Sequence, residues 1–272
     1  MNVVILSSLL AARGAVKLQK EFVSRGHVCV LLHPDMLNTV LFHPDVVISR
    51  FSALSFENTA RALDVFQLSH PDTLVTPSAE AIRISFDKLL TSVRLAECGI
   101  PTPVTWHGGN PVRVSLPAVV KPRSGSRGEG IYLATTHAQL EVALGQFSTI
   151  AQEYIKEAKG VDIRAFVIHD KMVVAMRRIA PEGDFISNIA NGGSAEPITL
   201  DKQTRQVAVE ACRALGLFYG GVDLIESKKG YLVLEANSSP GFKIGDVTGV
   251  DVIAELVRSI ELDFKKGNKW SR

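Results

Sequence analysis

Asp223, Glu235 and Asn237 are the residues whose types and spacing most directly suggest chemistry. They fall within GGVDLIESKKGYLVLEANSSPG, residues 220–241. The stretch reads as a hairpin: Val222–Ser227 and Tyr231–Asn237 are rich in Val, Leu, Ile and Tyr. Lys228-Lys229-Gly230 predicts a three-residue loop with Gly in the left-handed position. Counting back from that loop sets Ser227 opposite Tyr231 and Asp223 opposite Glu235. Side chains alternate along a strand, so Asn237 shares the face of Glu235, and Val222, Leu224, Leu232 and Leu234 form a core face. Facing carboxylates repel, and a bound divalent cation would turn repulsion into coordination. Two carboxylates and an amide oxygen are hard ligands, suited to Mg²⁺ or Mn²⁺. A solvated face with scattered acids is the plainer alternative. Convergence on one face of an apolar hairpin favours the cation.

A second set of residues suggests anion binding. The loop SGSRGEG, Ser124–Gly130, follows the strand-like AVVK and contains Ser126, Gly128 and Gly130. Its glycines can offer backbone N–H groups to phosphate oxygens. It lacks the order of a Walker A loop or a dinucleotide fingerprint. Lys121 enters from the preceding strand end, a common way to hold phosphates beside a Gly-rich loop. Lys88, on the preceding helix, is a second candidate cation. Glu153 sits in an apolar strand, where a buried acid can accept from an exocyclic amine. Asp162 follows a glycine turn, where it can accept from ribose hydroxyls. Arg164 shares its face, so an Asp162–Arg164 ion pair is the plain alternative. Arg177-Arg178 can meet a phosphate or carboxylate bidentately. Ser187-Asn188 lies in the long polar stretch Pro181–Pro197, of a kind that is often functional.

The elements that must position these groups follow from periodicity. Val3–Leu6, Val28–Leu32, Asp45–Ser49 and Thr73–Thr76 read as strands. They alternate with helices at Gly14–Arg25 and Glu57–Leu68, which implies a small parallel, Rossmann-like sheet. Ser7-Ser8, ending the first strand, can touch a substrate or cap the following helix. Pro77-Ser78 opens one long helix, Ala79–Glu97, with Ser78 as N-cap. Strands at Val104–Trp106, Ala118–Lys121, Ile131–Ala134 and Thr149–Ile155, with a helix at His137–Phe147, make an α+β unit. Val161–His169 and Met172–Arg178 read as an antiparallel pair, followed by an amphipathic helix at Asp201–Leu217, the hairpin and a final helix. The expected organisation is α/β: residues 1–78, then two α+β subdomains at 79–153 and 154–272.

Bulk composition bounds the function. The chain has 272 residues, 46% apolar and 21% charged, which suits a globular enzyme with a sizeable core. A net charge of +2 provides no general basic field for nucleic acid. Cys29, Cys98 and Cys212 are too dispersed for a disulfide framework, so a reducing cytoplasm is expected. No apolar run is long enough for a membrane span, and the opening MNVVILSSLLAARG lacks the basic start of a signal peptide. The seven histidines are scattered and form no nucleophile–base constellation.

Lys88, AVVKPRSGSRGEGI, QEYI, GVDIRAFVI, RRIAPEGDFISNIANGG and GVDLIESKKGYLVLEANSSPG occur in an order that resembles ATP-grasp carboxylate–amine ligases, most closely the RimK group of glutamate ligases. The resemblance covers roughly residues 78–255. It implies an ATP-grasp fold in which two subdomains sandwich ATP behind an N-terminal pre-ATP-grasp domain. It further implies Lys88 and Lys121 on the phosphates, Ser124–Gly130 as a flap, and Gln152, Glu153, Tyr154 and Ile155 as the adenine hinge. Asp162, Ser187 and Asn188 become nucleotide contacts. Arg164, Arg178 and Asn188 would serve the transferred phosphoryl and substrate carboxylate. Asp223, Glu235 and Asn237 would hold metal, expected as two Mg²⁺ or Mn²⁺ ions. Ser239-Pro240-Gly241 corresponds to the turn beside the acyl-acceptor site. Ile186 departs from the pattern, standing where the group has a basic residue. The implied activity joins L-glutamate to an acceptor carboxylate through an acyl phosphate, in a homo-oligomeric enzyme. The acceptor would be a protein C-terminus or a small molecule with a glutamyl tail. Alternatives are a ligase for another amino acid or an amino-group carrier protein, a D-alanine–D-alanine-type ligase, a kinase, and a regulatory ATP-binding protein without turnover.

Overall fold

The structure is a computed structural model that describes residues 1–125, 128–158, 160–182 and 192–267. The apolar runs of the first segment form β1 (Asn2–Ser7), β2 (Val28–Leu32), β3 (Val46–Arg50) and β4 (Leu74–Thr76). They pair in parallel in the order β2-β1-β3-β4. Such strands are buried on both faces. Val3, Ile5 and Ile48 pack towards α1 (Arg13–Ser24), and Val4, Leu6 and Val47 towards α2 (Phe56–Ser69). Neither Ser7 nor Ser8 caps α1. Ser7 Oγ donates to the Leu9 carbonyl at 2.8 Å, and Ser8 Oγ accepts from Ser55 Oγ at 3.0 Å.

The helix expected over 79–97 is two helices, α3 (Ala79–Phe86) and α4 (Lys88–Glu97). Ser78 caps the first by accepting from Ala81 N, as its sequence position suggested. Asp87 breaks the run. Its backbone is extended, and its carboxylate accepts from Leu89 N and Leu90 N at 2.9 and 3.3 Å, the N-cap geometry that favours Asp. Lys88 therefore starts a helix instead of lying inside one. Cys98, exposed, follows the last residue of α4.

β5 (Thr105–Trp106), β6 (Ala118–Pro122), β7 (Tyr132–Ala134) and β8 (Thr149–Glu153) form a four-stranded antiparallel sheet in the order β5-β8-β6-β7. It is backed by α5 (His137–Leu144), whose start has a Thr136/Gln139 capping box. β9 (Val161–Ile168), β10 (Lys171–Ile179), β11 (Ser194–Ile198), β12 (Tyr219–Ser227) and β13 (Gly230–Asn237) make a five-stranded sheet in the order β11-β10-β9-β12-β13. β11 lies inside the stretch read as polar and aperiodic. Its polar, Pro-containing sequence, SAEPI, gives no strand signal, and it forms only as a sheet edge, where Pro is tolerated.

One face of the five-stranded sheet packs on α6 (Lys202–Ala214), burying Val222, Leu224, Val233 and Ala236 with Ala208, Ala211 and Cys212. On its opposite face Phe166, Ile168 and Tyr219 meet α1, α7 (Lys243–Thr248) and α8 (Val252–Lys265), so one core joins it to the parallel sheet. Among the described residues no helix is long and apolar enough to cross a membrane.

The hairpin reaches its expected pairing by a different route. The turn is two residues, Lys228-Lys229, with Ser227 opposite Gly230. A turn shortened by one residue would misalign Asp223 and Glu235. A bulge between Leu224↔Val233 and Asp223↔Glu235 inserts Leu234 and restores their register. It also exchanges side chains: Val233 is the buried one, and Leu234 faces the cleft. Leu232 and Leu234 are thus not core residues, because the bulge interrupts the two-residue alternation.

Candidate active site

A cleft of about 400 Å³ lies between the four-stranded and five-stranded sheets, within the size range of small-molecule sites. Lys88, Lys121, Gly128, Gln152, Glu153, Tyr154, Ile155, Asp162, Arg164, Arg178, Asp223, Glu235 and Asn237 all line it. Gly130 does not. A Cβ there would stand 3.0 Å from Pro122 Cγ, and its φ of +71° places it in the left-handed turn at the loop's root. Ser126, Ser187 and Asn188, with Ile186, lie outside the described residues.

The floor of the cleft is built by register. Asp162 on β9 stands opposite Arg178 on β10, and Arg164 on β9 opposite Asp223 on β12, which in turn faces Glu235 on β13. Arg178 donates from Nε and Nη2 to the two Asp162 oxygens at 2.5 and 2.7 Å, and its Nη2 also lies 2.9 Å from Asp223 Oδ2. Arg164 donates bidentately to Asp223. The expected Asp162–Arg164 pair is therefore replaced by two cross-strand pairs. Residues two apart on a strand share a face, but directly opposed residues come closer. One buried guanidinium, Arg178, and one half-buried, Arg164, also change the account of the acidic pair. Burial pushes the Asp223 carboxyl up, yet Arg164 and Arg178 outweigh it and hold the group below the usual carboxylate range. Burial pulls Arg178 down, but Asp223 and Asp162 raise it above its ordinary value. Repulsion between Asp223 and Glu235 is thus answered by the protein itself, and a cation is not needed to explain the pairing.

Among the described residues no group of three or more His, Cys, Asp or Glu could hold a metal ion. The candidate set here is two acids and an amide. Asn237 Nδ2 donates to Glu235 Oε1 at 3.2 Å and to the Gly221 carbonyl at 3.3 Å, which leaves its Oδ1 available. Glu235 and Asn237 together, with the remaining lone pairs of Asp223, fit a hard divalent cation in donor type.

The roof differs. Lys121 is buried, and its Nζ donates to Gln152 Oε1 at 2.7 Å. Burial lowers its pKa to about 8; Glu235 opposes the shift, Lys88 adds to it and Asp223 opposes it. Gln152 in turn donates to Thr105 Oγ1 at 3.0 Å. The buried polar residue of β8 is therefore Gln152, and Glu153 is exposed at the cleft edge, because alternation along β8 turns it away from the interior. The Asp87 break carries Lys88 to the Gly-rich loop: Lys88 N donates to the Arg123 carbonyl at 2.8 Å and its Nζ to the Gly125 carbonyl at 3.0 Å. Arg123 closes this anchor with a 2.5 Å bond to Asp87.

The order of these parts along the chain is that of a known group. The model of the RimK-like ATP-grasp domain matches residues 88–260. The chain belongs to the RimK-like ATP-grasp family. A probable alpha-L-glutamate ligase of Xanthomonas euvesicatoria is 42% identical over 236 residues, covering 82% of this chain and 79% of that one. The ribosomal protein bS6–L-glutamate ligase of Escherichia coli O81 is 35% identical over 292 residues, covering 96% of each. The ATP-grasp ligase PsnB, solved with a precursor peptide and AMPPNP, has a TM-score of 0.75 at 20% identity, over 97% of this chain and 98% of that one. D-alanine–D-alanine ligase of Bacillus anthracis has a TM-score of 0.69 at 17% identity, over 98% of each chain. These likenesses agree with the ATP-grasp fold expected from the motifs.

Three features of this RimK-like site are not visible in the motifs. Lys243 lines the cleft, Arg50 of the parallel sheet donates to the Pro240 carbonyl in the loop that follows β13, and Gly221 lets Pro240 lie close to β12. Only the Gly220-Gly221 doublet had a signal, since paired glycines in a strand indicate close approach. A Cβ on Gly220 would meet Cys212 Sγ at 2.9 Å, and one on Gly221 would meet Pro240 Cβ at 2.9 Å.

Proposed function

We propose that the protein is an ATP-dependent carboxylate–amine ligase, ADP-forming, that adds L-glutamate to the carboxylate end of an acceptor chain. The observation that carries the reading is the cleft's pairing of a roof with two lysines held by neutral groups and a floor of opposed guanidiniums and carboxylates. The names of the two glutamate-ligase relatives support glutamate as the added amino acid. The bS6 ligase and the peptide-bound PsnB support a polypeptide acceptor.

In this mechanism an acceptor carboxylate oxygen attacks the γ-phosphorus of ATP and ADP leaves. The glutamate amine then attacks the acyl carbon. A C–N bond forms, the C–O bond to phosphate breaks, and the amine proton passes to solvent. Lys88 and Lys121 offset the phosphate charge, with backbone N–H groups of the Gly-rich loop. The charged form of Lys121, which burial disfavours, becomes favoured beside phosphate oxygens. Arg178 uses Nε and Nη2 on Asp162 and Asp223, and its Nη1 remains for the oxyanion of the tetrahedral intermediate. Glu235, Asn237 and Asp223 would hold Mg²⁺ or Mn²⁺, which supplies charge neutralisation of the ATP phosphates. The exposed Glu153, with Tyr154 and Ile155, would line the base pocket.

ADP release measured with ATP, Mg²⁺, each amino acid and a panel of C-terminal peptides tests the reading, with product mass as second readout. Glutamate-dependent release and a product heavier by one glutamyl residue are expected. Release with a different amino acid would move the chain to another ligase class. A phosphorylated product would make it a kinase, and nucleotide binding without turnover would make it regulatory.

A further inference from the structure

Among the described residues five cationic side chains line the cleft: Lys88, Lys121, Arg164, Arg178 and Lys243. The first four are engaged, by the Gly125 carbonyl, Gln152, Asp223, and Asp162 with Asp223. Lys243 alone of these makes no hydrogen bond or ion pair to another described residue, although it opens onto the cleft. It is the first residue of α7, just beyond the loop that continues β13 past Asn237.

That loop is held rigidly by a different sheet. Arg50, the last residue of β3, donates from Nη2 to the Pro240 carbonyl at 2.8 Å, and its guanidinium carbon stands 4.4 Å from the centre of the Phe242 ring. Arg50 Nη1 also reaches Tyr219 Oη at 3.5 Å. Gly14 at the start of α1 lets Phe242 pack closely, since a Cβ there would lie 3.3 Å from the ring. Gly221 likewise lets Pro240 lie against β12, where a Cβ would be 2.9 Å from Pro240 and 3.1 Å from Arg164 Cδ. The loop is thus fixed beside the Arg164–Asp223 pair, and Lys243 projects from its end.

We infer that Lys243 binds a carboxylate of the incoming amino acid and that Arg50 is the positioning residue that holds it there. The inference rests on the ligase reading. An amino acid that reacts through its amine must be gripped by its carboxylates. A nearby ammonium does this, and it also favours the unprotonated amine that can attack. Lys88 and Lys121 stand on the opposite wall with the Gly-rich loop, so the two kinds of anion, phosphate and amino-acid carboxylate, meet separate cations.

Steady-state kinetics of the full chain with ATP, Mg²⁺ and a peptide acceptor test this, varying glutamate and ATP in turn. Lys243→Met is expected to raise KM for glutamate roughly tenfold or more, the size of losing one hydrogen bond to a charged group, and to leave KM for ATP unchanged. Lys243→Arg, which keeps the charge, is expected to recover most of the loss. Arg50→Met is expected to raise KM for glutamate by less, again without changing KM for ATP. Glutamine and isoglutamine as competitors identify which carboxylate is held: the amide that replaces it loses its sensitivity to Lys243→Met. An unchanged KM for glutamate in Lys243→Met, or a rise in KM for ATP instead, would overturn the inference while glutamate ligation by the wild type stands. A wild type that turns over without glutamate would overturn the ligase reading first, and this inference with it.

Discussion

The two walls of the cleft handle charge in different ways. On the five-stranded floor, Arg178, Asp162, Arg164 and Asp223 are matched in pairs by strand register. On the four-stranded roof, Lys121 and Lys88 are held by Gln152 and by the Gly125 carbonyl, neither of which is charged. Opposite charges that are already paired keep their geometry when no substrate is present. Cations held by neutral groups are left with unspent attraction for an anion. The floor is therefore preorganised and the roof is receptive, which suits a site that must orient one substrate and capture the phosphates of another.

The contrast breaks most severely at Asp223. Replacing it with Ala leaves Arg164 and Arg178 short of a buried counter-charge, so ligation should vanish and chemical denaturation should show a loss of about 3–5 kcal/mol. Glu235→Gln separates function from stability. Glu235 makes no ion pair with the floor guanidiniums among the described residues, so turnover should fall on the order of a thousandfold while the unfolding midpoint stays in place. A Glu235→Gln enzyme with full activity in Mg²⁺ would remove this residue from the cation site.

Lys121→Met should weaken ATP binding roughly tenfold or more, measured by calorimetry, without loss of stability. The pH dependence carries a sign. The folded pKa, about 8, lies below the ordinary 10.5, so between these values the unfolded chain holds a proton that the folded chain lacks. The Lys121 contribution to stability therefore rises with pH across that window. ATP affinity, which needs the ammonium, should fall over the same window. Both trends should be missing in Lys121→Met, and a wild-type ATP affinity that stays flat from pH 7 to 10 would contradict the assignment.

Gly221→Ala forces a methyl group against Pro240, and an overpacking cost of about 1–3 kcal/mol is expected, together with reduced turnover. The smallest effect should come from the residue next to the most constrained arginine. Arg177 points to the other side of β10 and pairs with exposed Glu196 at 3.2 Å. Arg177→Ala should cost less than about 1 kcal/mol and leave ligation unchanged, whereas Arg178→Ala should abolish it.

The strands and most helices were readable because their apolar periodicity is strong, as in Val28–Leu32, whose bounds match β2. The Asp223–Glu235 pairing was also readable, although a loop one residue too long in the reading cancels a bulge that no local signal marks. Asp87 hid in a continuous helical pattern, since a single Asp is an unremarkable helix residue until its backbone turns extended. Glu153 and Gln152 show the limit of strand reasoning: the pattern placed a polar residue inside β8, but not which of two neighbours faces in. The arginine pairs depend on which strands become neighbours, and Arg50 and Lys243 depend on contacts between distant parts of the chain. No spacing rule along one segment encodes either.

The break at Asp87 has a practical consequence. Helix α4 grips the root of the Gly-rich loop at one end and presents Cys98 at the other. Cys29 and Cys212 are buried, and burial pushes both thiols up to about 12, which leaves them poorly nucleophilic. A maleimide dye therefore labels one site on the native chain without any engineered residue. The dye would then stand at the end of α4 opposite to the one that grips the loop, a single optical label placed outside the cleft.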